Sequence, residues 1–237
     1  HPMHRYAVYA APSASSPLWQ RGCTWLGRDP ATGARLRNPF ADAVLAGESL
    51  VHYLSDPMRY GFHATLKAPF TLRADLGFDD LHRTVTMLAQ QLTAPPPFEL
   101  AVRSMAPSEY LALVPAHKVP EIGTVAAHCV QQLHALAEPL SAEALATRRT
   151  KSQLDAREDE LLQRWGYPYV LDRFRLHFTL SNGLAGTAPE ISGEIIRLAQ
   201  RHFGDPVVCK RFDLAIYGEP TPGADFVLLA RCPMQRT

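Results

Sequence analysis

Short apolar runs alternate with amphipathic segments along the whole chain. Apolar runs and period-two alternation predict strands at 5–11, 61–72, 98–105, 110–115, 174–184, 207–217 and 226–232. Apolar residues at helical spacing predict helices at 18–26, 43–54, 79–93, 120–137, 141–165 and 190–203. Because strands and helices do not alternate strictly, the pattern favours an α+β fold with antiparallel sheets and flanking helices over a doubly wound parallel sheet.

The two halves of the chain carry a similar pattern of strand, helix, strand and strand. No proline- or glycine-rich linker separates the halves, which favours a single bilobal domain over residues 1–237. We expect one lobe at about 40–117 and the other at about 170–237, with the strand 5–11 and the helical segment 118–168 packed on them.

Composition and charge narrow the class of protein. With 46% hydrophobic and 20% charged residues, the chain is too apolar to be disordered. A formal net charge of +1 disfavours extended nucleic-acid binding, because proteins that neutralise many phosphates carry a basic excess. No apolar run is long enough to span a membrane and no apolar leader is seen, so we expect a cytoplasmic protein. Without a CxxC pair, the cysteines are expected to be buried thiols rather than metal ligands: Cys23, Cys129, Cys209 and Cys232.

Two of the predicted strands share a His-x-Thr motif, at 63–65 and 177–179. Side chains alternate across a strand, so every second residue lies on the same face. The apolar faces are formed by Phe62, Ala64, Leu66 and Ala68 and by Phe174, Leu176, Phe178 and Leu180. The polar faces are formed by Gly61, His63, Thr65 and Lys67 and by Arg175, His177, Thr179 and Ser181. Two packed lobes would bring the polar faces together across a groove.

These paired segments resemble the two-histidine phosphoesterase superfamily. The resemblance is most specific to a branch associated with phosphonate-metabolism operons, and it extends over RYAVYAAP, SPLWQRGCTWLGRDPATG, YGFHATLKAPF and RFRLHFTLSNGL. It implies a pseudo-symmetric bilobal fold with a central cleft. It also implies metal-independent chemistry on cyclic phosphodiesters or RNA ends, with no cofactor.

The resemblance implies catalytic roles for the four motif residues. His63 and His177 would act as general acid and base, since imidazole titrates near neutral pH. Which of the two is the acid stays open. Thr65 and Thr179 would donate hydrogen bonds to the phosphate oxygens as charge builds there.

Neighbouring residues are candidates for binding the ligand. Lys67 and Arg175 share the polar faces and are candidates for a second phosphate, and Ser181 lies on the same face. Tyr60 and Phe178 border the motifs, where they would either stack on a base or ribose or pack in the core. The basic cluster at 148–151 is either a solvated helix face or a lid over the cleft.

The expected function is therefore a cyclic phosphodiesterase that opens a small sugar or nucleotide cyclic phosphate, for example phosphoribosyl 1,2-cyclic phosphate in phosphonate catabolism. One alternative is an enzyme of RNA ends, either a 2′,3′-cyclic phosphodiesterase or a 2′–5′ ligase-like protein. A second is a non-catalytic phosphate- or nucleotide-binding protein. No GxSxG, GxxxxGK[ST] or GxGxxG motif is present, which leaves serine-hydrolase, phosphate-loop and dinucleotide-binding functions without support. The oligomeric state stays open.

Overall fold

A computed structural model describes residues 2–236. The strands of this part of the chain are β1 (Arg5–Pro12), β2 (Val44–Leu45), β3 (Glu48–Ser49), β4 (Ala64–Phe70), β5 (Phe98–Met105), β6 (Tyr110–Pro115), β7 (Phe178–Gly183), β8 (Val207–Cys209), β9 (Phe212–Glu219) and β10 (Val227–Cys232). Its α-helices are α1 (Pro17–Leu26), α2 (Ser55–Tyr60), α3 (Phe78–Gln91), α4 (Pro120–Leu133), α5 (Ala142–Lys151), α6 (Ala156–Trp165) and α7 (Pro189–Phe203).

Eight of the strands form one antiparallel sheet in the order β10-β9-β1-β4-β7-β6-β5-β8. β1 lies inside this sheet because its continuous apolar run is buried on both faces, and it pairs with β9 over its whole length. The α+β class is confirmed. The expected division into separate sheets is wrong for these eight strands, since β4 and β7 are hydrogen-bonded neighbours.

The junction between β4 and β7 is narrow, with Ala64 paired to Phe178. Beyond β7 lie β6 and β5, whereas β4 is followed on its other side by β1 and β9. Each range expected to form a lobe, 40–117 and 170–237, therefore contributes strands to both sides of the β4–β7 junction. The two ranges expected for the lobes interleave in the sheet.

Helices bury their apolar faces against this sheet and against one another. α4 packs on β4, α3 packs on β9 and β10, and α1 packs on α7. α1 starts where the Ser16 hydroxyl accepts a hydrogen bond from the Trp19 amide, and it ends at Gly27, whose φ of 82° is left-handed. Trp19 and Trp25 are buried core residues, as their helical spacing predicts.

The structure corrects the helix predicted at 43–54. This segment forms the β2–β3 hairpin followed by a short 3₁₀ helix, Leu50–Leu54. Ala46 and Gly47 both have positive φ, the conformation of a tight two-residue hairpin turn, which a helix cannot accommodate. The short helix α2, which was not predicted, follows directly.

Other boundaries shift because partners distant in sequence decide them. The single strand predicted at 207–217 is divided into β8, which pairs with β5, and β9, which pairs with β1. The helix predicted at 141–165 is divided at Asp155, which caps α6 with Glu158. All four cysteines are buried free thiols, as expected. Within residues 2–236 the helices are too short or too polar to cross a bilayer.

Candidate functional site

The junction between β4 and β7 brings the two His-x-Thr motifs together. Ala64 pairs with Phe178, so the residues that flank this pair, His63 and Thr65 in one motif and His177 and Thr179 in the other, share one face and lie close together. The two histidines lie immediately before β4 and β7. On the opposite face, the rings of Phe62 and Phe178 stack with centroids 5.0 Å apart. The expected division into a polar face and an apolar face therefore holds around both motifs.

Both imidazole rings are fixed in the same way. His63 Nδ1 lies 2.8 Å from the Gly61 carbonyl oxygen, and His177 Nδ1 lies 2.8 Å from the Arg175 carbonyl oxygen. A carbonyl oxygen only accepts hydrogen bonds, so each neutral ring must carry its proton on Nδ1. Each histidine therefore has an unprotonated Nε2, the atom that can accept a proton from a ligand.

Gly61 supplies one of these carbonyls from a conformation that suits glycine. Its φ is +81°, which L-residues with a side chain rarely adopt. A Cβ at this position would also lie 2.9 Å from the Pro30 side chain. The backbone that orients His63 thus depends on a residue without a side chain.

Aromatic side chains surround the two imidazoles. The Tyr9 ring stacks on His63 with centroids 3.7 Å apart, and Tyr60 lies 6.3 Å from the same ring. Tyr110 lies 5.7 Å from the His177 ring. The Thr65 hydroxyl donates to His63 Nε2 over 3.2 Å.

Burial keeps both histidines neutral. Removal from water lowers the pKa of His63 to about 4, partly offset by the bond to Gly61 and reinforced by the nearby His177. Burial also lowers the pKa of His177, again partly offset by its backbone bond. At neutral pH the two motifs therefore present two bases rather than two cations.

Acid should destabilise the fold through His63. Its folded pKa lies below the unfolded value of about 6.5, so the unfolded state binds the proton first and stability falls as pH drops from about 6.5 to about 4. We expect His63→Gln to remove about 2 kcal/mol of this loss, measured as the free energy of unfolding in urea at pH 7 and pH 4.5. The exposed His117→Gln provides the control, and equal acid sensitivity in the two variants would contradict the expectation.

The other predicted ligand-binding residues occupy different surroundings. Lys67 is buried, Arg175 is exposed to solvent, and Tyr60 lies beside His63. Ser181 is 1% exposed, and its hydroxyl accepts from the Leu111 amide and donates to the Asn182 carbonyl. The structure therefore does not offer the Ser181 hydroxyl to a ligand.

Sequence reasoning missed Tyr9, because it lies inside the apolar run of β1 and carries no polar pattern. It also missed Tyr167, which lies between α6 and the second motif. Phe178 is completely buried and packs in the core, which resolves the two alternatives given for it. In residues 2–236, no group of three or more histidine, cysteine or acidic side chains is arranged to hold a metal ion.

The chain is similar to curated proteins about twice its length. It is 36% identical over 237 residues, which cover 98% of this chain and 51% of the relative, to a protein of Janthinobacterium sp. (strain Marseille) named ribose 1,5-bisphosphate phosphokinase PhnN. It is also 36% identical over 224 residues, 94% of this chain and 50% of the relative, to a protein of the same name from Laribacter hongkongensis (strain HLHK9). The chain thus spans about half the length of these relatives.

These names contradict the function expected from the sequence. A phosphokinase is a phosphotransferase, whereas the expected cyclic phosphodiesterase is a phosphoric diester hydrolase. The prediction of a hydrolase is therefore wrong. The alternatives, an RNA-end enzyme and a non-catalytic phosphate- or nucleotide-binding protein, gain no support from these names either.

The family assignment rests on more than half of the chain. A family model described as "Protein of unknown function (DUF1045)" matches residues 65–227. The match includes Thr65, His177 and Thr179 and begins two residues after His63. The chain therefore belongs to the DUF1045 family.

Proposed function

We propose that the groove around His63 and His177 binds a phosphorylated ribose and exchanges protons with its oxygens during phosphoryl transfer. The observation that carries this proposal is the pair of imidazoles, each held by a backbone carbonyl and each with an unprotonated Nε2. The names of the curated relatives support ribose 1,5-bisphosphate as the ligand. The PhnN name also supports the place in phosphonate metabolism that the resemblance implies.

Each motif residue has a role in this proposal. One neutral imidazole takes the proton of the acceptor oxygen as that oxygen bonds to the terminal phosphorus of a nucleoside triphosphate, while the bond from this phosphorus to the leaving nucleoside diphosphate breaks. The Nε2 atom of the second imidazole accepts a hydrogen bond from a proton that the bound phosphate carries. Thr65 and Thr179 donate hydrogen bonds to phosphate oxygens, where negative charge builds up in the transition state.

We assign to this chain the ribose-phosphate side of the reaction rather than the nucleotide side. The chain spans about half of the relatives, and its sequence has no GxxxxGK[ST] loop to cradle nucleotide phosphates. We further propose that the family shares the two-histidine architecture of the superfamily that its motifs resemble. The adjacent placement of the two His-x-Thr motifs supports this relationship.

Calorimetric titration with ribose 1,5-bisphosphate tests the proposal. We expect the unmodified chain to bind it, and we expect His63→Ala and His177→Ala to weaken binding by about tenfold to a hundredfold, since each removes a charge-assisted hydrogen bond. The control is His117→Ala, which removes an exposed imidazole and should bind like the unmodified chain.

Two results would contradict the proposal. Equal affinity in the control and in the groove variants would place the ligand elsewhere. Transfer of phosphate from ATP to ribose 1,5-bisphosphate by this chain alone would contradict the assignment of the nucleotide side to another part of the relatives.

A further inference from the structure

A cavity of about 430 Å³ lies between β4, α4 and the α5–α6 segment. Lys67, Arg148 and Tyr167 line it. Lys67 follows Thr65 on β4, and two residues of a strand span about 6–7 Å. The cavity therefore begins close to the motif threonine.

Lys67 is a buried cation without a counter-ion. Its side chain is 7% exposed and its ammonium lies 5.1 Å from the centre of the Phe70 ring. Within residues 2–236 no carboxylate forms an ion pair with it, although buried charges in proteins are normally paired. Burial lowers the pKa of Lys67 to about 8, which shows how costly the charged form is at this position.

A second cation shares the cavity. The Arg148 guanidinium donates to the Gly166 carbonyl, and its charge further lowers the pKa of Lys67. Its neighbour Arg149 pairs with Asp159, but Arg148 has no carboxylate partner in the described part of the chain. Two like charges held together in a cavity create a site for an anion.

The remaining charged and polar residues that line the cavity do not oppose the binding of an anion. Arg5 lines it and is already paired with Glu219. Glu138 is the acidic residue among the described lining residues, and it is exposed to solvent. His134 also lines the cavity, and its Nδ1 is buried without a hydrogen-bond partner in residues 2–236.

Tyr167 lines this cavity and lies near two tyrosines that neighbour the motif histidines. Burial raises the pKa of Tyr167 to about 12, and the nearby phenols of Tyr110 and Tyr60 contribute to the rise. These two tyrosines lie beside His177 and His63. Together with the spacing of Thr65 and Lys67 on β4, these neighbours place the cavity near the two motif histidines.

We infer that this cavity is a second phosphate subsite, in which Lys67 and Arg148 bind a phosphate monoester at the far end of a sugar held by the histidines. The identity of the sugar rests on the proposed function, whereas the anion site rests on the cavity alone. The ligand class is a small sugar with two phosphate groups. Arg148, in the segment interpreted as either a solvated face or a lid, binds the phosphate in this arrangement.

Thermal unfolding with inorganic phosphate tests the anion site directly. We expect phosphate, compared with chloride at equal ionic strength, to raise the Tm of the unmodified chain by several degrees and to leave that of Lys67→Met unchanged. In chloride, Lys67→Met should be at least as stable as the unmodified chain, because the variant no longer buries an unpaired charge. A lysine with only a structural role would instead lower the Tm in both salts.

Matched variants exclude a general effect of charge. Lys118→Met removes an exposed ammonium, and Arg149→Gln removes the neighbour that pairs with Asp159. Both should keep the response to phosphate, whereas Arg148→Gln should lose most of it. An equal response in Lys67→Met, Arg148→Gln and the controls, or no response in any chain, would overturn the subsite.

Calorimetry then separates this inference from the proposed function. We expect ribose 1,5-bisphosphate to bind about tenfold or more tightly than ribose 5-phosphate, and Lys67→Met to remove this difference. A response to phosphate without binding of either sugar would contradict the proposed function and keep the anion site. Equal binding of both sugars in the unmodified chain would overturn the second subsite and keep the first.

Discussion

Replacing Glu219 with alanine should lower the free energy of unfolding by about 3–5 kcal/mol. The Glu219 carboxylate is 1% exposed and accepts hydrogen bonds from Arg5 Nε over 2.7 Å and from the Gly223 amide over 3.1 Å. It also accepts from Arg59, whose guanidinium lies 4.9 Å above the Tyr60 ring. Without the carboxylate, two partly buried guanidiniums remain unpaired beside the histidine groove.

Urea unfolding at neutral pH measures this loss. Arg5 and Arg59 are 28% and 27% exposed, so water can solvate part of their charge and the loss should lie near the lower end of the range. The control is Asp42→Ala, which breaks an ion pair whose partners are 70% and 91% exposed and should cost less than about 1 kcal/mol. Glu219→Ala behaving like Asp42→Ala would show that the buried carboxylate contributes little.

Phe62→Ala should lower the free energy of unfolding by about 3–5 kcal/mol and disturb His63. The Phe62 ring is 1% exposed, stacks on Phe178 and lies with its centroid 6.1 Å from that of Phe203. Its ring also fills the space beside Gly22, where a Cβ would lie 2.2 Å from a ring carbon. Removing the ring leaves a cavity next to His63, immediately before β4.

Two measurements distinguish a loss of stability from a change in the position of the His63 ring. Urea unfolding gives the lost free energy, and the NMR signal of the His63 ring reports whether its stacking on Tyr9 changes. Met87→Ala, on the exposed side of α3, is the control and should stay within about 0.5 kcal/mol of the unmodified chain. A loss below about 1 kcal/mol with an unchanged His63 signal would show that the core repacks around the missing ring.

Local patterns predicted the bounds of several helices and strands closely. β5 and β6 were predicted with the observed bounds, and α3 and α7 begin and end within two residues of the expected positions. The segment 207–217 was not resolved into two strands, because β8 and β9 pair with strands on opposite sides of the sheet. Only the whole fold decides such a division.

The sequence predicted those parts of the candidate site that follow from the alternation of side chains between the two faces of a strand. His63, Thr65, His177 and Thr179 share a face as expected, because they flank the paired residues Ala64 and Phe178. Pairing irregularities interrupt the alternation between β1 and β4 near Lys67 and between β6 and β7 near Ser181. These irregularities depend on neighbouring strands, so the sequence pattern did not show that Lys67 is buried or that the Ser181 hydroxyl is engaged.

The position of β1 has a consequence for synthesis on the ribosome. β1 pairs on one side with β4, which is made soon after it, and on the other side with β9, at Phe212–Glu219. Tyr9, which stacks on His63, therefore lies in a strand with an unpaired edge until β9 has been translated. The surroundings of His63 can be completed only after β9 has been translated, so a nascent chain that ends before β9 would carry an apolar strand with one unpaired edge.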